Sequence, residues 1–274
     1  MRAFPKIPIA PAVTGQALAR FHWMSAILLA AAYLSALVAL ITKFDAHWPE
    51  AGLLLLGTLS TIVSLARQLP AQNVVLASLI IAWGGCLAHV LGARSGIPFG
   101  PFMFGTEAGW KLFGAVPWMM PFIWVAAVLN SRGVARLILR PWRKIRAYGF
   151  WLIGLTALLT TLFDCALEPF AMQARHYWIW APGGYSLTPQ GAPIANSVGW
   201  LLVTLLMLAF VTPLLINKQL SKRSTPDFHP LAVWLGGILL FSIGAAMKNL
   251  WAAAAVDGFI LASTAITAIR GGRW

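Results

Sequence analysis

LFDCALEPFAMQARHYWIWAPGGYSLTPQGAPIANSVGW, residues 162–200, leads an apolar run into a polar loop and out into a second apolar run. Two acids, Asp164 and Glu168, stand inside the first run. Pro169 follows at once, and because its ring clashes with helical geometry the helix is expected to stop there. Trp178 and Trp180 come next, then a Gly- and Pro-rich turn region, and Asn196 and Trp200 open the following run. Acids four residues apart lie on one helix face, with Cβ atoms about 5–6 Å apart. Ionisable groups at membrane depth are costly and point to function by default. The pair is the first candidate for chemistry.

The pattern of apolar run, loop and apolar run repeats along the whole chain. It is 59% hydrophobic and 10% charged, with a mean hydropathy of +0.78, whereas a soluble domain is about 25% charged. A net charge of +13 would suit a nucleic-acid binder if Lys and Arg covered a folded surface. Here they fall in short loops between apolar runs, the pattern of a membrane protein, and nucleic acid is excluded as a partner. Cys86 and Cys165 both lie in apolar segments and read as small buried hydrophobes. The histidines show no HxH or HxxxH spacing, so no metal site is expected.

Hydropathy gives an all-α, polytopic membrane helical bundle, a single membrane domain over residues 1–274. Residues 1–21 form a cytoplasmic N-terminal segment with no signal-peptide pattern. Eight spans are expected, with seven as the alternative: about His22–Ile41, Ala51–Ala66, Val74–Leu91, Trp118–Asn130, Tyr148–Glu168, Ser197–Ile216, Leu231–Met247 and Asn249–Ala268. Each is near the ~20 residues a bilayer requires, or slightly shorter. The last two form a tight hairpin or one broken helix. Between spans 3 and 4, residues 92–117 are too rich in Gly and Pro for a plain span and read as a re-entrant or partly buried loop, shielded by protein. Six basic residues, Arg132, Arg136, Arg140, Arg143, Lys144 and Arg146, crowd into one loop. With that loop in the cytoplasm, both termini are cytoplasmic and 15 of the 20 Lys and Arg lie on that side. The loops at 92–117 and 169–196 then share the opposite face, where Glu107 can approach Asp164 and Glu168.

These two loops carry a family pattern. From Gly92 to Trp124 the pieces GIPFG, KLFG, VP and PFIW follow in order. The second block runs Asp164-x-x-x-Glu168-Pro169, Trp178-x-Trp180, Gly184-Tyr185, and Gly191-x-Pro193-x-x-Asn196-x-x-Gly199-Trp200. The ordered set, about a third of the chain, resembles the integral-membrane carotenoid biosynthesis proteins, a family that includes CruF-type carotenoid hydratases and bisanhydrobacterioruberin hydratase. Relatives carry an acid where His89 stands, tyrosines at Phe102 and Phe104, and Asp at Glu168. This chain also has one extra residue between GIPFG and KLFG, and SLTPQ inserted after Tyr185.

The resemblance implies a hydratase (a hydro-lyase) adding water to the terminal double bond of an acyclic carotenoid end. Protonating an isolated alkene makes a tertiary carbocation, so the site needs a carboxylic acid that keeps its proton. Two neighbouring carboxyls in a low dielectric resist double ionisation. Asp164 and Glu168 therefore form the expected acid pair, with Glu107 as a further catalytic candidate. Trp178, Trp180, Trp200 and Phe104 offer faces to the cation, Tyr185 and Asn196 hold water, and His89 and Phe102 complete the substrate site. The reaction calls for no cofactor and no metal. Partners implied are a carotenoid or other long polyene, membrane lipid and neighbouring carotenoid enzymes, in the inner (cytoplasmic) membrane of a bacterium. Blander readings stand beside these. Trp178 and Trp180 would be interfacial belt residues, Asn196 a helix cap, His89 an interior hydrogen-bonded residue and Glu107 an exposed loop acid. The two acids would pair with Arg175, and Asp257 with Lys248. The competing functions are isomerisation or another end-group change, and a transporter or lipid-binding protein without chemistry.

Overall fold

The computed structural model describes residues 15–44, 48–181, 191–216 and 225–274. Tyr185, the SLTPQ insert and the basic residues Lys218, Lys222 and Arg223 lie outside them. Among the described residues there are eight α-helices: α1 (Gly15–Ile41), α2 (Trp48–Ala66), α3 (Ala71–Ser95), α4 (Met120–Ile138), α5 (Tyr148–Pro169), α6 (Ile194–Val211), α7 (His229–Met247) and α8 (Trp251–Gly272). All but α4 are long and apolar enough to cross a membrane. The chain is a helical integral membrane protein. Helices consecutive in the chain alternate in direction, so α1 begins and α8 ends at the same face. At that face the His22 and His229 rings lie 5.0 Å apart, Arg132 reaches the carbonyl of Leu215, and Gly271 rests against the Leu137 carbonyl.

The choice between seven and eight spans turns on α4. It is less apolar because it is the centre of the bundle, packed against α2, α3, α5, α7 and α8, and its polar groups face protein. Asn130 and Thr61 exchange hydrogen bonds at 3.0 and 3.1 Å. Ser131 accepts from the Trp234 indole at 3.1 Å. Buried Arg132 donates to the Leu215 carbonyl at 2.8 Å. The loop expected to hold six basic residues is accordingly shorter, since Arg132 and Arg136 belong to the last turns of α4. The final two spans form a hairpin, turned over Lys248–Leu250 with Asn249 at φ 60°. Asp257 and Lys248 do not pair; one Asp257 oxygen is buried without a partner.

The loop between α3 and α4 is a partly buried folded cap. Strand β1 (Phe102–Phe104) leads through a short turn at Thr106–Ala108 to the small ribbon β2 (Lys111–Leu112) and β3 (Val116–Pro117). β1 pairs antiparallel with β4 (Trp178–Trp180), in register Phe102↔Trp180, Met103↔Ile179, Phe104↔Trp178. The two loops therefore do meet on one face, as the charge pattern required. The α-helical part of α5 ends at Pro169, as expected, but the chain stays helical beyond it. The path widens into a π-helical turn, Phe170–Ala174, closed by Arg175 N–H to Phe170 C=O at 3.0 Å.

Arg175 then finds its partner away from the acid pair. Its guanidinium forms an ion pair with Glu50 in the first turn of α2, and Tyr177 donates its phenol to the same carboxylate. Burial and the Glu50 charge push the Tyr177 phenol well above its ordinary pKa, which keeps it a donor. This cluster ties the start of β4 to α2. Glu50→Ala is expected to leave the guanidinium buried and unpaired, a loss on the order of 3–5 kcal/mol. Thermal unfolding of purified protein in detergent should show a clear drop for that variant and a smaller one for Tyr177→Phe. An unchanged midpoint for Glu50→Ala would contradict the assignment.

Candidate active site

Strand geometry builds the ceiling of the site. Residues two apart in a strand share a face, so F-M-F in β1 and W-I-W in β4 put four aromatic rings inward and Met103 and Ile179 outward. The outward pair is 72% and 57% exposed. Inside, Phe102 packs on Trp180 with ring centres 5.2 Å apart and on Phe104 at 5.0 Å, while Phe104 meets Trp178 edge-on at 6.4 Å.

Both indole N–H groups of β4 converge on one acid. Trp178 Nε1 and Trp180 Nε1 each donate to Glu168 Oε2 at 3.0 Å. Asn196, in the first turn of α6, spreads its amide between the two acids. It donates to Asp164 Oδ2 at 2.7 Å and to Glu168 Oε1 at 3.0 Å. It makes no helix cap, and Arg175 is committed to Glu50, so neither blander reading of these residues holds. The tryptophans do more than mark an interface. Asp164, Glu168 and Asn196 are 1%, 5% and 2% exposed, which leaves bulk water no role in solvating them. Glu168 thus accepts from three N–H groups, and Asp164 accepts from one. Asp164 Oδ1 is buried with no partner.

His89, on α3, supports the aromatic wall as a buried residue. Its Nδ1 takes a hydrogen bond from the Trp124 indole at 3.1 Å, and its ring lies 4.5 Å from Phe99 and 6.0 Å from Trp200. Trp124 stacks on Trp200 at 3.8 Å. Gly85 makes that possible, because a Cβ there would sit 2.2 Å from the Trp124 ring. Trp124 lies in the PFIW piece and Gly85 follows another glycine on α3, and nothing in the sequence signals that the two act together. Phe99, Met120, Ile123 and Leu167, which also line the site, carried no such signal.

These side chains enclose a space of about 10 Å³ beside Asp164, Glu168 and Asn196, roughly what one water requires. Phe102, Phe104, Trp178, Trp180, Trp200 and His89 all border it. Glu107 does not. It lies exposed on the turn Thr106–Ala108 with its neighbour Thr106 3.4 Å away. Met120, Ile123, Leu167 and Trp178 form a common wall with a second, much larger chamber of about 600 Å³. That chamber is lined mainly by apolar side chains of α1, α2, α4, α5 and α7. No group of three His, Cys, Asp or Glu side chains among the described residues could hold a metal ion.

Comparison with known proteins gives the geometry a family. A segment of bisanhydrobacterioruberin hydratase from Haloarcula japonica is 34% identical over 116 residues, covering 42% of this chain and 36% of that protein. The match thus spans little more than a third of the relative's length. No solved structure matches the chain. The family described as carotenoid biosynthesis protein matches residues 50–264, well over half of the chain and inclusive of both loops and the acid pair. The chain belongs to the carotenoid biosynthesis protein family.

Proposed function

We propose that this protein is a membrane-embedded carotenoid hydratase, and that Asp164 delivers the proton. The observation that carries the reading is the unequal treatment of two adjacent buried acids. An ionised carboxylate only accepts hydrogen bonds, whereas a protonated one also donates. Glu168, with three N–H donors, suits the acceptor role. Asp164, with one buried oxygen that has no partner, has the place for a proton.

The steps balance on a single proton. Asp164 transfers it to the less substituted carbon of the terminal double bond, and the electron pair of that bond forms the new C–H. The positive charge then rests on the tertiary carbon. The faces of Trp178, Trp180, Trp200 and Phe104 stabilise it, each desolvated cation–π contact contributing about 2 kcal/mol. Water attacks the cation and loses a proton to the Asp164 carboxylate, so the pair ends as it began. The product is a tertiary alcohol. The relative's name supports hydration, and the family supports a carotenoid as the substrate.

A second reading keeps the same cation and lets it lose a neighbouring proton, which shifts the double bond. The lack of any Ser, Thr or Tyr side chain at the border of the water-sized space, among the described residues, favours it. Product analysis separates the two, as hydration adds a hydroxyl and isomerisation conserves mass. We also propose that the ribbon of β1 and β4 faces away from the cytoplasm and the Arg140–Arg146 turn faces it. A cysteine replacing Met103 should then react with an impermeant reagent from outside, and one replacing Lys144 only after permeabilisation. Labelling of both from one side contradicts that orientation.

Asp164→Asn keeps size and hydrogen bonding and removes the acid. It should insert normally and yield only unhydrated precursor in a carotenoid-producing host. Glu168→Gln should lower turnover less completely, because an amide still accepts from the indoles. A fully active Asp164→Asn protein would rule Asp164 out as the donor. Trp180→Phe should be milder than Trp180→Ala, since a π face survives and only one of three donors to Glu168 is lost. Equal loss in both, at normal expression, would assign the effect to the indole N–H.

A further inference from the structure

We infer that the chamber of about 600 Å³ holds the polyene chain of the substrate, which enters sideways from the bilayer between α1 and α7. This rests on the proposed reaction at Asp164. Its common wall with the acid pocket is the first argument: a chain lying in the chamber abuts Met120, Ile123 and Trp178, the side chains that also line the space beside the carboxyl pair. The second is the way it opens. α1 pairs with α2 and α7 with α8 as hairpins, while α1 and α7 barely touch. Leu34 of α1 and Leu239 of α7 line the chamber and are nevertheless 61% and 44% exposed. An opening with such rims faces lipid tails, not water.

Small residues create the volume. Ala26 and Ala30 of α1, Gly57 of α2, and Ala232 and Gly236 of α7 stand on the walls. From His229 to Phe241 the α7 wall runs about 18 Å at ~1.5 Å per residue. The shape is long and apolar with chemistry at one end, which fits a rod-like acyclic polyene attacked at its terminus. Along the middle the polar group is the Tyr33 phenol, buried without a hydrogen-bond partner beside Gly236, and no charged side chain stands there to select a headgroup. Glu50 and Tyr177 at one end are already engaged with each other, and His229 at the other contacts Ser60 at 3.2 Å.

Two glycines allow the chamber to be filled without disturbing the acid pocket. A Cβ on Gly57 would meet nothing closer than 3.7 Å, and one on Gly236 nothing closer than 3.5 Å. Gly57→Ala and Gly236→Ala should therefore behave as the parent, and Leu at either position should project into the chamber. The probe is lycopene, supplied in a producing host and measured by its visible absorption in the purified protein. Gly57→Leu and Gly236→Leu should carry about tenfold less of it than the parent, a loss of about 1.4 kcal/mol. Asp164→Asn should carry as much as the parent but form no hydroxylated product. Ala30→Trp, at the exposed rim, should slow uptake without affecting folding and covers the case in which a Leu variant fails to accumulate.

Leu and Trp variants with unchanged pigment and turnover would overturn the assignment. So would parent protein that carries membrane phospholipid chains in place of lycopene. An active Asp164→Asn protein alongside pigment-free Leu variants would leave the chamber assigned and remove Asp164 as the proton donor, so the two failures are distinct.

Discussion

Carboxylates buried inside a membrane bundle have no water to solvate them, and each oxygen must find a donor within the protein or carry a proton. Most of this architecture can be read as the delivery of donors to Asp164 and Glu168. α6 begins where its first turn places the Asn196 amide between both acids. β4 is short, but its period of two turns both indoles toward Glu168. β1 is there to hold β4, pairing with it residue for residue. Beyond the π-helical turn the chain reverses at His176, with φ 54°, and Tyr177 N–H returns to the Ala171 carbonyl at 2.8 Å, which brings β4 back over the site.

The supply is uneven, and in the proposed mechanism that imbalance carries the chemistry. Three donors on one acid and one on its neighbour separate two groups that the sequence makes nearly equivalent. The aromatic rings that present the N–H groups also present their faces to the space where a cation would form. One set of side chains thus orients the acid, excludes water beyond a single molecule and offers electron density. Glu50, Arg175 and Tyr177 stand one step further out, anchoring the residue that precedes Trp178. In the proposed mechanism they act by position alone.

Hydropathy made the spans legible, because lipid-facing helices have no choice but to be apolar. It was least informative for α4, where Asn130, Ser131 and Arg132 are satisfied by other helices and the lipid argument does not apply. Charge asymmetry placed the two loops together, and the ribbon between them agrees. The acid pair, Asn196 and the two tryptophans were legible from spacing and family pattern. Their hydrogen bonds were not, since Arg175 looked an equally good partner and only the path of the chain after Pro169 sends it to Glu50. Glu107 looked available for the opposite reason. It is close in sequence to the right loop, yet sits on a turn that faces outward. Tertiary geometry decides such cases, and a single sequence records it poorly.

The claim at the centre is that the pair holds one proton and holds it on Asp164. Infrared difference spectroscopy of the protein in lipid, exchanged between light and heavy water, reads the carbonyl stretch of a protonated buried carboxyl directly. The account predicts one such band from the pair, absent in Asp164→Asn and present in Glu168→Gln. A band that survives in Asp164→Asn and vanishes in Glu168→Gln would put the proton on the other acid and contradict it.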